Sequence, residues 1–439
     1  MKKYPKERGA ATLVVVMVMF LIVAMLAAYA NRNLIFEQRV ASNYVRSAVS
    51  HEAAEAGLEW TLAQLNGGKI NDACEPVEKG TSSFRQRYLG IDSATGMLTS
   101  LAPFKNPPTI ATCTRAAANG GWKCQCPEPS AVLSGSSVVA GNEAQPSFNI
   151  AIEPITRNGV LRILARGCND AQIITCHSLY VKDVDAANAM LLSASFVRLE
   201  AAFLSALRVP PAAPLISKLS LSVGAQGVGL HNSDPRSAGV LFISGEAVPS
   251  SLSEDRLDSI PGTPGRRAMF QDQTLQDVPT DGAEGKTVRS LFGHYFGMPK
   301  EAYRLQPAMK RISCDGDCGQ TLLDAYAAGA RMLWVNGNLE ISSEIELGTD
   351  AEPVVLVVAG PVVLSGGMRL HGVLYAGGDF GWRNDSGKPA LLNGAAIVEG
   401  HVNISGAVDF WYLPSIMDRL NKDTGSFVRV SGSWSDMSR

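Results

Sequence analysis

Residues 10–30 contain no Asp, Glu, Lys or Arg, and from that run helix-compatible sequence continues without a proline to about Leu65. An uncharged stretch of 21 residues is enough to cross a bilayer as one helix. A basic leader precedes it, with Lys2, Lys3, Lys6 and Arg8 against Glu7 alone. Positive charge stays cytoplasmic, so the bulk of the chain is expected in the periplasm, held to the inner membrane by a single pass. A cleaved secretory signal would instead show an apolar core of about 7–15 residues ending at an A-x-A-like site. Here the run meets no breaker. Phe36, Val40 and Tyr44 fall four apart, and Ala54, Leu58, Leu62 and Leu65 form an i, i+4, i+8, i+11 stripe before Gly67-Gly68 supplies a stop. The expected element is a rod over 10–66, about 80 Å long at 1.5 Å per residue. Its first half, hydrophobic all round, suits lipid or other helices; its amphipathic second half suits a globular domain.

Three strings carry a resemblance: Arg8-Gly9-Ala10-Ala11-Thr12-Leu13-Val14-Val15, Asn31-Arg32-Asn33, and Ser50-His51-Glu52-Ala53-Ala54-Glu55-Ala56-Gly57-Leu58. They resemble the start of the PilX-type branch of type IV pilus assembly proteins. That resemblance implies a leader over 1–9, cut by prepilin peptidase between Gly9 and Ala10, and a helix drawn from the membrane into a pilus core. It implies as partners other minor and major pilins and the inner-membrane pilus assembly machinery, with the pilus and cell surface as the final location. Residues 146–152 with 159–167, 334–339 and 432–436 are similar to larger members of the family.

Two positions depart from the major pilins: the mature first residue is Ala10 rather than Phe, and the fifth is Val14 rather than Glu. In major pilins that Glu is held to neutralise the amino terminus of a neighbouring subunit. An unpaired charge in an apolar core is costly, so the pair guides docking. A subunit without it points to a tip or priming minor pilin that presents a large β domain, with adhesion to a surface ligand as that domain's use. The same lack resembles the tip pseudopilin of type II secretion, although tip pseudopilins usually carry a mainly helical insertion. A membrane-anchored periplasmic binding module or enzyme is the third reading.

The chain of 439 residues, 46% hydrophobic and 18% charged, can bury a core in two or three domains. A net charge of −2 with no aromatic-interleaved basic patch argues against nucleic acid as the main partner. The eight cysteines Cys74, Cys113, Cys124, Cys126, Cys168, Cys176, Cys314 and Cys318 all follow the membrane segment and read as disulfides in an oxidising periplasm. Cys168 with Cys176 and Cys314 with Cys318 are the expected pairs. The other four stay open in connectivity, with Cys124 and Cys126 poor partners for each other. Zinc is disfavoured because C-x10-C-x-C lacks paired C-x2-C knuckles. Asp315 and Asp317 fall short of the oxygens calcium needs. No cofactor is expected.

The fold class expected is α+β: the long helix, an antiparallel pilin-like sheet, and a C-terminal mainly-β repeat region read as an irregular β-solenoid. Residues 67–190 read as a disulfide-containing α+β region, with alternating strands from Phe148 to Val184 that should pack on the amphipathic helix. Residues 191–330 read as an irregular β and helical insertion, with an exposed excursion over 246–290 and helices over 287–296 and 320–328. Within 331–412, four similar strings carry Gly337, Gly360, Gly377 and Gly400, the pattern of stacked rungs. The tail 413–439, with Asp409 to Tyr412 before it, is expected to cap that stack.

No nucleotide, metalloprotease or serine-hydrolase motif is present; the nearest miss is Gly285-Lys286-Thr287, with Thr280 where a phosphate loop begins with Gly. Gly377-Gly378-Asp379 lacks a following helix. The histidines His51, His177, His231, His294, His371 and His401 lack ligand spacing, though His371 and His401 share a face if the rungs align. Glu340, Glu399, Asp379 and Asp409 are the carboxylates that separate rungs could bring together. The expectation is a structural protein, not an enzyme.

Overall fold

The computed structural model describes residues 10–436 except positions 79, 81, 93–94, 102–103, 106–107, 116–119, 129–144, 170–192 and 280–288. A single helix spans Ala10–Leu65. It is followed by an antiparallel sheet in the order Gly425–Arg429, Ala194–Ser205, Val160–Cys168, Ser147–Pro154, Ala111–Arg115, Trp122–Gln125. The fold is therefore α+β, with a long N-terminal helix and a mostly-β remainder.

Alternation explains how that sheet meets the helix. Phe148, Ile150 and Ile152, then Leu161, Ile163 and Ala165, then Val197, Leu199 and Ala201 are all buried and share one core with Ala54, Leu58 and Leu65 of the helix. The other face is polar: Arg162 lies 3.8 Å from Glu153 and 3.5 Å from Glu200, its register neighbours on either side. Packing on the sheet starts at Ser50, later than the stripe suggested. Phe36, Val40 and Tyr44 are exposed, because the helix has left the sheet by that height.

Cys74 is bonded to Cys126 and Cys113 to Cys124. Cys113 and Cys124 are directly opposed across two strands, with Cα atoms 4.1 Å apart. Cys168 is also disulfide-bonded, while Cys176 and the hairpin expected around it lie outside the described residues.

The second β system is parallel throughout. Each circuit of the chain visits three sets of strands, as in Met332–Val335, Leu339–Ile341 and Glu346–Leu347, before the next circuit stacks on it. In the five-stranded sheet Leu339 pairs with Val362, Val362 with Phe380 and Phe380 with Val402, circuits of 23, 18 and 22 residues. This register aligns Gly378, rather than Gly377, with the glycines at 337, 360 and 400: the Gly360 N–H donates to the Gly337 carbonyl at 2.9 Å, and Gly400 to Gly378 at 3.2 Å. Gly377 instead follows the strand end, donating to Val358. Two long strands, Arg369–Ala376 and Leu391–Val398, bridge the other two sets. At the junction Gly372 and Gly394 take φ of +147° and +143°, and a Cβ on Gly394 would strike the Gly372 carbonyl, so the bridge needs glycine there.

Inward side chains such as Leu333, Leu356, Leu374, Ala396, Trp382 and Phe410 fill the interior. On one set the outward positions are buried too: Trp334, Val357, Tyr375 and Ile397 lie under the helices Leu291–Phe296, Lys300–Tyr303 and Pro414–Lys422. Strands covered on both faces read as unbroken apolar runs, which accounts for Val354–Val358.

Three expectations are corrected here. Residues 215–271, read as irregular, add further strands to the same stack: Leu215–Ser217 pairs in parallel with Leu391–Val398, and Phe242–Ser244 and Met269–Gln271 follow outward. The excursion over 246–290 thus contains stacked strands at 257–258 and 269–271. The tail does not cap the stack either. Val408–Trp411 is an internal strand between Leu391–Val398 and Val228–His231, and Gly425–Arg429 returns to the antiparallel sheet. Gly425 is the register partner of Ser205, so residues 206–424 form an insertion between two neighbouring strands.

The two systems meet along a seam. The Lys69 N–H donates to the Ala328 carbonyl at 3.0 Å, Arg331 pairs with Glu352 at 2.6 Å, and Gln86 donates to Glu352 at 2.9 Å. Arg85 donates to the Gly425 carbonyl and lies over the rings of Phe203 and Phe427, and burial lowers its pKa to about 10.

Candidate assembly interface

The surface that most demands a partner is the free part of the helix. From Leu13 to Leu26 the large apolar side chains are between half and three-quarters exposed, Val14 at 58% among them, and the helix is long and apolar enough to cross a membrane. At 1.5 Å per residue the part before Ser50 stands about 60 Å clear of the sheet. Among the described residues its first turn holds no acidic residue. The described helix begins at Ala10, and Gly9 lies outside the described residues.

Several devices fix this rod to the body. Gly167 lets the helix touch the sheet: a Cβ there would collide with the Ser50 carbonyl and the Ala54 amide. Ser50 Oγ is 3.2 Å from Ser193 Oγ and 3.1 Å from Ser195 Oγ. The C-terminal segment closes the other side. Asn66 exchanges two hydrogen bonds with the Phe427 backbone, at 2.8 and 2.9 Å. Arg429 pairs with Glu59, and Trp434 Nε1 donates to Glu55 Oε1 at 2.6 Å. The lone glycines at 57 and 167, each inside an otherwise regular element, were the sequence's signal for close approach. The Arg429–Glu59 and Asn66–Phe427 contacts had none.

The residues considered for chemistry are dispersed. Glu399 pairs with Lys300 at 2.9 Å, Asp379 accepts from the His401 amide at 2.8 Å, and Asp409 pairs with Arg256 at 2.7 Å. Glu340 is exposed on the five-stranded sheet. Burial pushes the Asp409 carboxyl up, but hydrogen bonds from His231 and Arg256 outweigh it and hold the group below the usual range. His371 and His401 do not share a face: His371 lies between Asp350 and Glu346, whereas His401 Nδ1 is 2.8 Å from Ser220 Oγ. His51 meets the Trp434 ring edge-on, His294 meets Tyr295, and His177 and 285–287 lie outside the described residues. The 314–318 loop is closed by a Cys314–Cys318 bond. Within it Asp317 accepts from Ser342, Gly319 and Ser343; led by the Ser342 hydroxyl, these bonds lower its pKa to about 2. Among the described residues no group of three or more His, Cys, Asp or Glu is placed to hold a metal ion.

Comparison with known proteins places a name on the helix. No curated protein matches the chain. Among solved structures, the chain is similar to the competence-associated pilin ComZ from Thermus thermophilus, at 11% identity over 90% of this chain and 97% of that one. The TM-score of 0.21 is too low to transfer anything from that protein. The PilX N-terminal family model matches residues 8–59, which include the free rod and the first turns packed on the sheet. The likeness to the PilX N-terminal family is confined to residues 8–59 of the chain.

Proposed function

We propose that the chain is a minor subunit of a type IV pilus, acting at the tip or in priming. Prepilin peptidase cuts between Gly9 and Ala10, and the rod then passes from the inner membrane into the fibre core while the inserted β region is presented outward. The observation that carries this reading is the free apolar half of the helix, continuous with a half clamped to the body, in the segment that matches the PilX N-terminal model. Moving Leu13 to Leu26 from lipid to a bundle of other helices exchanges one apolar surrounding for another and costs little in itself. Direction must come from assembly machinery supplied by other chains. Val14 at the fifth mature position supports a terminal place, since a carboxylate there would have a neighbour's amino terminus to meet.

Val14 equally favours a second reading, a tip pseudopilin of type II secretion. The mainly-β insertion over 206–424 weighs toward the pilus. The test is the N-terminal residue of the protein from cells with and without prepilin peptidase. A start at Ala10 that vanishes without the peptidase is the expected result, followed by recovery of the chain in sheared pili. An uncut Met1 makes the chain a static anchor, and recovery with secretion complexes alone selects the second reading.

A further inference from the structure

The set of strands that includes Glu346–Leu347 and Val408–Trp411 carries a continuous row of side chains from five separate stretches of sequence. His371 is the register partner of Asn393, Asn393 of Trp411, Trp411 of His231, and His231 of Asp258. The preceding residues Leu370, Leu392, Phe410, Leu230 and Leu257 are all buried, so the row faces out. With neighbouring strands about 4.8 Å apart, it is about 20 Å long.

At its centre is an aromatic platform. Trp411 is 42% exposed and lies flat on the His231 ring, with centroids 3.8 Å apart and planes 10° from parallel. His231 is fixed by Asp258 at Nδ1, 2.7 Å, and by Asp409 at Nε2, 3.4 Å; Arg256 fixes Asp409 in turn. The indole is therefore held in place over a network rather than free to fold down. The other tryptophans are committed inside the chain. Trp334, Trp382 and Trp434 donate their N–H to Asn336, Gly366 and Glu55, and Trp60 and Trp122 pack on Phe148. Among the described residues the Trp411 N–H has no acceptor.

A fixed indole, stacked on His231 by one face and 42% exposed, flanked by carboxylates and with its N–H free, suits a ligand with a flat C–H surface rimmed by hydroxyls, which is a pyranose ring. Asp258 and Asp409 lie on one side and Asp350 and Glu346 on the other, against Arg256 and Arg369. The acidic excess disfavours an anionic polymer. We propose that this row binds an uncharged polysaccharide, with Trp411 as the stacking platform; its use in surface attachment rests on the pilus reading above.

The experiment titrates the full-length protein, in a zwitterionic detergent free of sugar, with soluble glucan and mannan oligosaccharides by calorimetry, and with polygalacturonate as the anionic control. Saturable binding of a neutral oligosaccharide is expected, weakened about tenfold or more by Trp411→Ala and kept within about threefold by Trp411→Phe. Val363→Ala, an exposed position on the five-stranded sheet, leaves binding unchanged. Binding by no neutral sugar at millimolar concentration, equal binding by Trp411→Ala, or preference for the polyuronate overturns the proposal. Retained binding in Trp411→Phe excludes misfolding as the cause of loss. The outcome is separable from leader cutting: an uncut chain that binds glucan removes the fibre role alone, and a cut chain that binds none removes the ligand alone.

Discussion

In the antiparallel sheet Phe148, Ile150 and Ile152 alternate with Asn149, Ala151 and Glu153, whereas in the stack Val354 to Val358 are buried without a break. The first sheet is covered on one face by the long helix from Ser50 to Leu65 and, beside it, by Phe84, Tyr88 and Leu98. The second closes on its own interior and has helices over one outer face as well. A small core gives the first system little to hold its loops, and there the Cys74–Cys126 and Cys113–Cys124 bonds are found. Among the described residues the stack has one bond, Cys314–Cys318, in a loop at its end. Stability in one region comes from cross-links and in the other from packing.

The contrast can be broken most directly at Trp382, which is buried in the stack interior. Trp382→Ala should cost about 3–5 kcal/mol and lower one calorimetric transition while the disulfide-bonded region keeps its own. A joint fall of both would mean that the seam makes one cooperative unit. Removing cross-links is next. Closing loops of 52 and 11 residues, the Cys74–Cys126 and Cys113–Cys124 bonds should contribute about 4 and about 3 kcal/mol respectively. Serine pairs at each should raise hydrogen exchange in the antiparallel sheet and leave 332–411 protected; exchange rising in the stack would refute the division.

The smallest effect sharpens the comparison at the stack's end. Asp317 has its pKa lowered from 3.8 to about 2, so its contribution is fully present above the unfolded value and is lost as pH falls through about 2. Because the side chain is exposed, that contribution should stay under about 1 kcal/mol. Asp317→Asn should lower the melting temperature slightly at neutral pH and converge on the parent near pH 2. A constant difference over that range would show that the carboxylate's charge is not what matters.

What could be read from the sequence was local. The helix Ala10–Leu65 was visible because a charge gap, a 3.6-residue period and a Gly-Gly stop are all written within it. Ser147–Pro154 and Val160–Cys168 were visible as alternation around a turn. Leu215–Ser217 and Leu221–Val223 were not, since three residues carry no period and their partners are Ala396–Val398 and Val402–Ile404. The return of Gly425 to Ser205 left no trace for the same reason. Cysteine pairing stayed open because only strand register sets Cys113 against Cys124. The Trp411 row was hidden more deeply, as it exists only once five distant segments are stacked.

The adjacency of Ser205 and Gly425 has a mechanical side. A pull on the inserted region leaves it through two neighbouring points and enters the sheet along two antiparallel strands loaded in the same direction. To tear free, Ala194–Ser205 must slide lengthwise past Val160–Cys168, straining nine register pairs at once instead of opening them one by one. Force on the outer region is thus delivered to the rod by shear, the direction in which a sheet is strongest.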